Sequence, residues 1–320
     1  MLPTVLLTHP LPADWLRPLE GRVRLIVGPE DAIGFPQPLL EFLPEAEGLI
    51  TLLTDRVDAK LLEHAPKLRV VSNMAVGVDN IDLQACQARG IAVGNTPGVL
   101  TEATADLTLA LILSAARNLP QAAADARCGK WKTWSPTGWL GLELNGAILG
   151  ILGMGKIGQA VARRAHAFGL HILYTSPHAH AEVEHALGAR RVTLETLLES
   201  SDILSLHCPL TPETRGLIDE AALRRMKPQA ILVNVARGPV VVTEALVRAL
   251  REGWIAGAAL DVTDPEPLPP DHPLYSLPNC LIVPHIGSAT WETRRRMAAM
   301  ACENLLAGLG GRPLPYAVTG

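Results

Sequence analysis

Three ionisable side chains each follow a predicted strand in the second half of the chain. Arg237 comes after a strand over residues 230–234, Glu266 lies in the loop beyond residues 255–261, and His285 comes after residues 280–283. Taken singly, each side chain is explained as a surface charge or a local hydrogen-bonding group. Ligands of parallel sheets bind beyond the carboxyl ends of the strands, arginine suits a carboxylate, and histidine donates protons near neutral pH. Together the three predict a site that binds an anionic ligand and supplies a proton.

A glycine-rich turn precedes these residues in the chain. Residues 147–152 form an apolar run of strand length, six residues with the pattern G-x-G-x-x-G follow, and residues 159–168 predict a helix. This order is typical of a dinucleotide-binding site, in which the glycines allow a tight turn, approach of the pyrophosphate and close packing. Glycine-rich packing is the alternative. The cofactor contacts predicted from the turn are Gly153, Met154, Gly155, Lys156, Ile157 and Gly158.

An acidic residue is missing after the next predicted strand, over residues 171–174. An NAD site usually carries Asp or Glu about 20 residues after the glycine motif, where it binds the ribose 2′-hydroxyl. Ser176 stands there instead. A carboxylate would repel a 2′-phosphate, so its absence favours NADP(H), with NAD(H) still possible. Ser176 and His178 can hydrogen-bond a phosphate; no arginine directly follows the strand, and Arg163 and Arg164 are expected on a solvated helix face.

Bulk properties exclude several function classes. The chain has 320 residues, of which 48% are apolar, and a net charge of −4. The length suggests two domains, and the charge gives no reason to expect binding to nucleic acid or to an anionic membrane. No apolar run or secretory signal suggests membrane insertion or export. Five scattered cysteines without metal-ligand spacing predict a cytoplasmic protein without a metal site.

Strand-like runs alternate with helical patterns over most of the chain. This alternation predicts an α/β protein with two Rossmann-like, doubly wound parallel-sheet domains. Five strands are predicted in the first domain and six in the second, and an apolar helix over residues 102–117 is expected to be buried between domains or subunits. The last helix, over residues 291–309, has room to return to the first domain. The predicted domains are therefore residues 1–100 with 287–320, and residues 101–286.

Several segments resemble one protein family. With the glycine motif, VARGPVV (235–241), LDVTDPEPLP (260–269) and PHIGSAT (284–290) are similar to the D-isomer-specific 2-hydroxyacid dehydrogenases. VSNMAVGVDNID (71–82) resembles that family's substrate-carboxylate loop. LDVTDPEPLPPDHPL, NLLAGLGGRPLP and WKTWSPTGW resemble its glyoxylate/hydroxypyruvate reductase branch. The resemblance implies an active site in the cleft between the two domains.

The resemblance also implies a reaction and roles for its residues. A nicotinamide cofactor would reduce a small 2-keto acid, glyoxylate or hydroxypyruvate, to the D-2-hydroxy acid. His285 would protonate the carbonyl oxygen, and Glu266 would orient its imidazole and favour the charged form. Arg237 and the backbone N–H groups of Val76 and Gly77 would bind the substrate carboxylate.

Further contacts are implied for the cofactor and for a partner subunit. Asp261 would accept a hydrogen bond from the nicotinamide carboxamide, Thr104 would line the cofactor, and Pro209 would shape the adenosine side. Trp139 is the counterpart of a tryptophan that reaches into the partner's active site in this branch, although the segment is one residue longer here. A homodimer is therefore expected. The other expected cofactor contacts are Ser176, Val235, Ala236 and Gly287.

Two other interpretations stay open. The chain can be another enzyme of the family, of the D-lactate, 3-phosphoglycerate or formate dehydrogenase type. It can also be a non-catalytic regulator that senses a dinucleotide with the same fold, since fold does not fix function.

Overall fold

A computed structural model describes residues 1–318 and divides the chain into two compact units. Unit 1 combines Met1–Leu100 with the segment that begins at Ala289, and unit 2 is Thr101–Ser288. The sequence predicted the second segment of unit 1 from residue 287. Within residues 1–318, no helix is long and apolar enough to cross a membrane.

Unit 1 is built on a five-stranded parallel sheet with the order β2-β1-β3-β4-β5. The strands are β1 (Thr4–Leu7), β2 (Arg24–Val27), β3 (Ala46–Thr51), β4 (Val70–Asn73) and β5 (Ala92–Gly94). Three α-helices belong to this unit: α1 (Ala59–Glu63), α2 (Leu83–Ala88) and α10 (Trp291–Leu309). Short 3-10 helices cover Ala13–Trp15, Arg17–Leu19 and Gln37–Glu45.

Both faces of this sheet are buried. Successive residues of a strand point to opposite faces, so Leu6 packs in one hydrophobic cluster and Val5 and Leu7 pack in another. The second cluster also contains Met297 and Leu305 of α10. The last helix therefore returns to the first sheet, as the sequence predicted.

Unit 2 contains a seven-stranded parallel sheet with the order β12-β11-β10-β9-β6-β7-β8. The strands are β6 (Ile148–Leu152), β7 (His171–Thr175), β8 (Arg190–Arg191), β9 (Ile203–Leu206), β10 (Ile231–Asn234), β11 (Gly257–Leu260) and β12 (Cys280–Ile282). Strand order reverses beside β6, and ligands of such sheets bind at that switch point. The predicted fold class, two doubly wound parallel sheets, is confirmed.

Helices connect the strands of unit 2 and cover both faces of its sheet. They are α3 (Thr101–Ala116), α4 (Leu119–Arg127), α5 (Lys156–Ala167), α6 (Ala181–Leu187), α7 (Leu194–Ser200), α8 (Glu220–Arg225) and α9 (Thr243–Glu252). Short 3-10 helices cover Gly238–Val240 and Pro273–Ser276.

Two predictions for this unit were wrong in detail. The sheet has seven strands rather than six, because β8 is only the exposed pair Arg190–Arg191 and gives no apolar signal. Helix α5 begins at Lys156, three residues before the predicted start, with Gly155 as its N-cap. Gly158 therefore lies inside the helix rather than ahead of it.

Side chains cap two of the helices of this unit. The side chains of Thr193 and Asp219 accept backbone N–H bonds at the starts of α7 and α8. Val242 is the N-cap of α9, and Thr243 is the first helical residue. The Thr243 hydroxyl donates to the carbonyl oxygen of Asp264, 2.8 Å away. This bond ties α9 to the loop that carries Glu266.

Candidate active site

The glycine turn between β6 and α5 has two crowded positions and one open position. Gly153 has φ of 97°, and a Cβ there would lie 2.6 Å from the backbone nitrogen of Cys208. A Cβ on Gly158 would overlap the carbonyl oxygen of Gly153. A Cβ on Gly155 would meet nothing within 4 Å. Two glycines thus allow the turn and the packing of α5, while the third leaves open space at the helix N-terminus, as a bound pyrophosphate requires.

An arginine of β8, which the sequence reasoning missed, is bonded to the residues that follow β7. The Nε atom of Arg191 donates to the carbonyl oxygen of Ser176 at 3.1 Å, and its Nη2 donates to that of Pro177 at 2.8 Å. Arg163 and Arg164 of α5 pair with acidic residues of α3 instead. The cation beside Ser176 therefore comes from β8, the strand with no apolar signal.

Thr104, Asp261 and Gly287 lie together in unit 2. The carboxylate of Asp261 accepts the N–H groups of Ile286 at 2.6 Å and Gly287 at 2.9 Å. The Thr104 hydroxyl donates to the carbonyl oxygen of Gly287 at 3.2 Å. Burial raises the pKa of Asp261, and these backbone hydrogen bonds act in the opposite direction. The carboxylate thus fixes the backbone immediately after His285.

The turn after β10 presents Val235, Ala236 and Arg237. The side chain of Asn234 closes this turn: its Oδ1 accepts the Ala236 N–H at 3.0 Å, and its Nδ2 donates to the Arg237 carbonyl oxygen at 3.0 Å. A Cβ on Gly238 would overlap the carbonyl carbon and oxygen of Thr263. The sequence reasoning did not single out Asn234, although its position at the end of a buried strand was a usable signal.

His285 and Glu266 form a hydrogen-bonded pair. The Nδ1 atom of His285 lies 2.5 Å from Oε1 of Glu266, and both side chains are about a quarter exposed, 23% and 28%. His285 adopts φ of 49°, and its N–H donates to the carbonyl oxygen of Asp261 at 2.9 Å. Because Glu266 engages Nδ1, Nε2 is the ring nitrogen available for a ligand. The pair can therefore hold and deliver a proton at Nε2.

The residues after β9 are unsuited to nucleophilic chemistry. Burial raises the pKa of Cys208 to about 11, so the thiol stays protonated at neutral pH. Burial lowers the pKa of His207 to about 3, and its Nε2 pairs with the hydroxyl of Ser205 at 2.8 Å. The next residue, Pro209, is exposed and accepts the Thr214 hydroxyl at 2.7 Å. His207 is thus a neutral structural histidine.

Val76 and Gly77 lie in the loop after β4, at the carboxyl edge of the sheet in unit 1. The other implied substrate and cofactor residues belong to unit 2. Val76 is 37% exposed, unlike the fully buried strand that precedes the loop.

Trp139 is held against its own chain. It adopts φ of 51°, and its indole Nε1 donates to the Asp125 carboxylate of α4 at 3.0 Å. The same carboxylate accepts Lys130 at 2.8 Å and Gln121 at 3.0 Å. The hydrogen bonds from Lys130, Trp139 and Gln121 lower the pKa of Asp125 to about 2. The tryptophan segment is thus folded back onto α4.

Comparisons with known proteins find relatives of the chain both in sequence and in structure. The family model "D-isomer specific 2-hydroxyacid dehydrogenase, NAD binding domain" matches residues 109–287. A glyoxylate reductase of Korarchaeum cryptofilum is 49% identical over 319 residues, which are 99% of this chain and 96% of that protein. A crystal structure of a Thermus thermophilus protein is 51% identical, with a TM-score of 0.91, and covers 99% of this chain and 100% of that one. An NADPH-dependent glyoxylate/hydroxypyruvate reductase of Sinorhizobium meliloti, solved with NADP and malonate, is 33% identical, with a TM-score of 0.87. The match covers 100% of this chain and 97% of that one.

Proposed function

The chain belongs to the D-isomer specific 2-hydroxyacid dehydrogenase family, and on this premise we propose that it reduces glyoxylate and hydroxypyruvate. The observation that carries the proposal is the His285–Glu266 pair at the carboxyl edge of a dinucleotide-binding sheet. The near-full-length similarity to a glyoxylate reductase supports the choice of substrates. The family's other enzyme types and the non-catalytic regulator are the alternatives to be tested.

Proton transfer in this reaction is assigned to His285. A bound nicotinamide coenzyme supplies the hydride that adds to C2 of the keto acid. His285 donates the proton from Nε2 to the carbonyl oxygen as negative charge develops there. Glu266 holds Nδ1 and stabilises the imidazolium. A positioned general acid contributes about 10²- to 10⁴-fold to the rate.

Binding of the substrate carboxylate is assigned to Arg237 and to the amides of Val76 and Gly77. A guanidinium presents parallel donors that match a carboxylate. Asn234 and Gly238 fix the backbone around Arg237, so the side chain starts from a rigid turn. Trp139 is assigned to the substrate pocket of a partner subunit.

Cofactor binding is assigned to unit 2. The open position at Gly155 and the N-terminus of α5 fit a pyrophosphate, and Asp261, Thr104 and Gly287 suit the nicotinamide end. The residues proposed to line the cofactor are Thr104, Gly153, Met154, Gly155, Lys156, Ile157, Gly158, Ser176, Pro209, Val235, Ala236, Asp261 and Gly287.

We propose that NADPH is preferred to NADH. Ser176 offers no carboxylate to repel a 2′-phosphate, and Arg191 brings a positive charge to the same backbone segment. A charge-assisted hydrogen bond to phosphate contributes about 1.5–3 kcal/mol, or roughly tenfold to a hundredfold in affinity.

The cofactor preference is tested by kcat/KM for NADPH and NADH in the wild type and in Arg191→Gln. The substitution is expected to lower the NADPH/NADH ratio at least tenfold. Arg190→Gln is the matched control, since it removes the same charge from the neighbouring residue, whose side chain points to the other face of β8. Ser176→Asp should also lower the ratio. A wild-type preference for NADH, or an unchanged ratio in both test variants, would refute the proposal.

The substrate class is tested by a panel of glyoxylate, hydroxypyruvate, pyruvate and 3-phosphohydroxypyruvate with each coenzyme. The proposal predicts that kcat/KM is highest for glyoxylate or hydroxypyruvate. Higher values for pyruvate or for the phosphorylated acid would point to the D-lactate or 3-phosphoglycerate type, and no turnover with any keto acid would favour the regulator.

We further propose a homodimer formed through the segment over residues 119–140. This segment exposes five large apolar side chains: Leu119, Trp131, Trp134, Trp139 and Leu140. Trp131 and Trp134 are 65% and 81% exposed, and such a cluster is typical of an interaction surface. Light scattering should give twice the mass of 34.2 kDa, and Trp134→Glu should lower it. A monomeric wild type would contradict the proposal.

We propose a cytoplasmic location. Five free thiols occur among the described residues, at Cys86, Cys128, Cys208, Cys280 and Cys302. A reducing compartment keeps thiols in this state. Fractionation of the producing cells should recover the protein with cytoplasmic markers, and recovery with exported proteins would contradict this.

A further inference from the structure

The loop that carries Val76 and Gly77 is fixed by its carbonyl groups. The carbonyl oxygen of Ala75 accepts the backbone N–H of Thr96 at 2.8 Å. The carbonyl oxygen of Val76 accepts Nδ2 of Asn95, also at 2.8 Å. Two successive peptide groups are therefore bonded to the segment that follows β5.

A third peptide group is bonded from within β4. Nδ2 of Asn73 donates to the carbonyl oxygen of Gly77 at 3.0 Å and to Oδ1 of Asn80 at 3.1 Å. The Thr51 hydroxyl donates in turn to Oδ1 of Asn73 at 3.0 Å. Asn73 and Thr51 are fully buried. These bonds anchor the far side of the loop to the sheet.

The carbonyl bonds determine where the amides point. In a trans peptide group the N–H is directed opposite to the C=O of the preceding residue. Holding the carbonyls of Ala75 and Val76 against residues 95 and 96 therefore directs the N–H groups of Val76 and Gly77 away from that segment. Within residues 1–318, neither N–H donates to a protein acceptor. Two adjacent donors are thus oriented and left for a ligand.

We propose that Asn95 is a positioning residue that orients the Val76 and Gly77 amides toward the carboxylate of the keto acid. The inference rests on the proposed function and extends it to a residue outside the segments for which the sequence resemblance was stated. Asn95 acts through the Val76–Gly77 peptide group, whose carbonyl it holds, and needs no contact with the substrate.

The position of Asn95 is itself fixed by α10. Nδ2 of Asn304 donates to the carbonyl oxygen of Asn95 at 3.0 Å, and the Asn95 N–H donates to the carbonyl oxygen of Tyr316 at 3.1 Å. Asn304 is fully buried, and its Oδ1 accepts the Tyr316 N–H at 3.0 Å. Helix α10 thus supports the loop that carries Val76 and Gly77 indirectly. Asn304 holds the backbone of Asn95, and the side chain of Asn95 holds the carbonyl group of Val76.

The test replaces Asn95 with Leu, which has a similar shape and no donor, and with Ala. Steady-state kinetics would measure kcat, KM for glyoxylate, KM for NADPH and the inhibition constant of oxalate, a non-reacting carboxylate probe. We expect KM for glyoxylate and Ki for oxalate to rise together by about tenfold, which corresponds to the free energy of one hydrogen bond. The values of kcat and KM for NADPH should stay within about twofold, because the hydride and proton donors are untouched.

Asn279→Leu is the matched control. Its Nδ2 donates to the carbonyl oxygens of Leu250 and Ala256 in unit 2, so the substitution can lower Tm but should leave KM for glyoxylate unchanged. An unchanged KM and Ki in both Asn95 variants would overturn the inference and leave the proposed function standing. A fall in kcat together with equal rises in KM for glyoxylate and in KM for NADPH, accompanied by a lower Tm, would show a merely structural role. This result would also overturn the inference. A wild type that reduces no keto acid would overturn both proposals.

Discussion

His285 sits in a backbone conformation that few non-glycine residues adopt. With φ of 49° it lies in the left-handed region, where such residues persist only when the surrounding structure determines them. Here the constraints are visible: Asp261 accepts the N–H groups of Ile286 and Gly287, and Glu266 holds the ring. The residue to which proton transfer is assigned is thus one of the strained positions of the backbone, together with Asn118 and Trp139.

Glu266→Gln should lower the rate of keto-acid reduction. The carboxylate of Glu266 lies 2.5 Å from Nδ1 of His285 and holds the ring, and a neutral amide makes a weaker hydrogen bond than a carboxylate. The measurement is kcat for glyoxylate at a fixed pH. Glu199→Gln, at an exposed position of α7, is the control, and equal kcat values for wild type and Glu266→Gln would contradict the pairing.

The sequence identified ionisable residues at the ends of strands, but it did not identify the asparagine side chains that hold nearby backbone groups. Arg237, Glu266 and His285 stood out because each charge follows an apolar strand. The side chains of Asn95 and Asn234 act through hydrogen bonds to backbone groups, and such bonds produce no periodic pattern in the sequence. Arg191 was missed because β8 has no apolar residue to mark it.

The turn from β6 into α5 contains two glycines that close packing requires, Gly153 and Gly158, and one glycine with open space beside it, Gly155. Gly158→Ala forces a Cβ onto the Gly153 carbonyl oxygen, whereas Gly155→Ala places one in open space. We expect the first to lower stability by about 1–3 kcal/mol, the usual cost of overpacking. The second should keep Tm within a few degrees and weaken NADPH binding at least tenfold, because the added methyl group takes the place of the pyrophosphate.

Thermal unfolding and fluorescence titration with NADPH would measure both glycine variants side by side. If Gly155→Ala binds NADPH as tightly as the wild type does, the pyrophosphate is not bound at this turn. The sequence predicted the order of strand, turn and helix. It placed the start of α5 three residues late, because the cap at Gly155 has no capping side chain.

Over the whole molecule, the alternation of apolar runs and helical patterns was sufficient to predict two parallel sheets. Strands buried on both faces are apolar along their length, and β1, β9 and β10 have this character. Short helices such as α1 and α2 escaped prediction because five or six residues carry little periodicity. Of the residues proposed to act on the substrate, Val76 and Gly77 belong to unit 1, and Arg237, Glu266 and His285 belong to unit 2.

We propose that this chain reduces 2-keto acids with His285 as the proton donor. The most direct measurement compares glyoxylate reduction by the wild type, His285→Ala and His185→Ala, an exposed control on α6, with NADPH affinity measured in parallel. We expect turnover by the wild type and the control, a loss of about 10²- to 10⁴-fold in kcat for His285→Ala, and similar NADPH affinity in all three. Near-normal turnover by His285→Ala, or no reduction of any keto acid by the wild type, would contradict the claim.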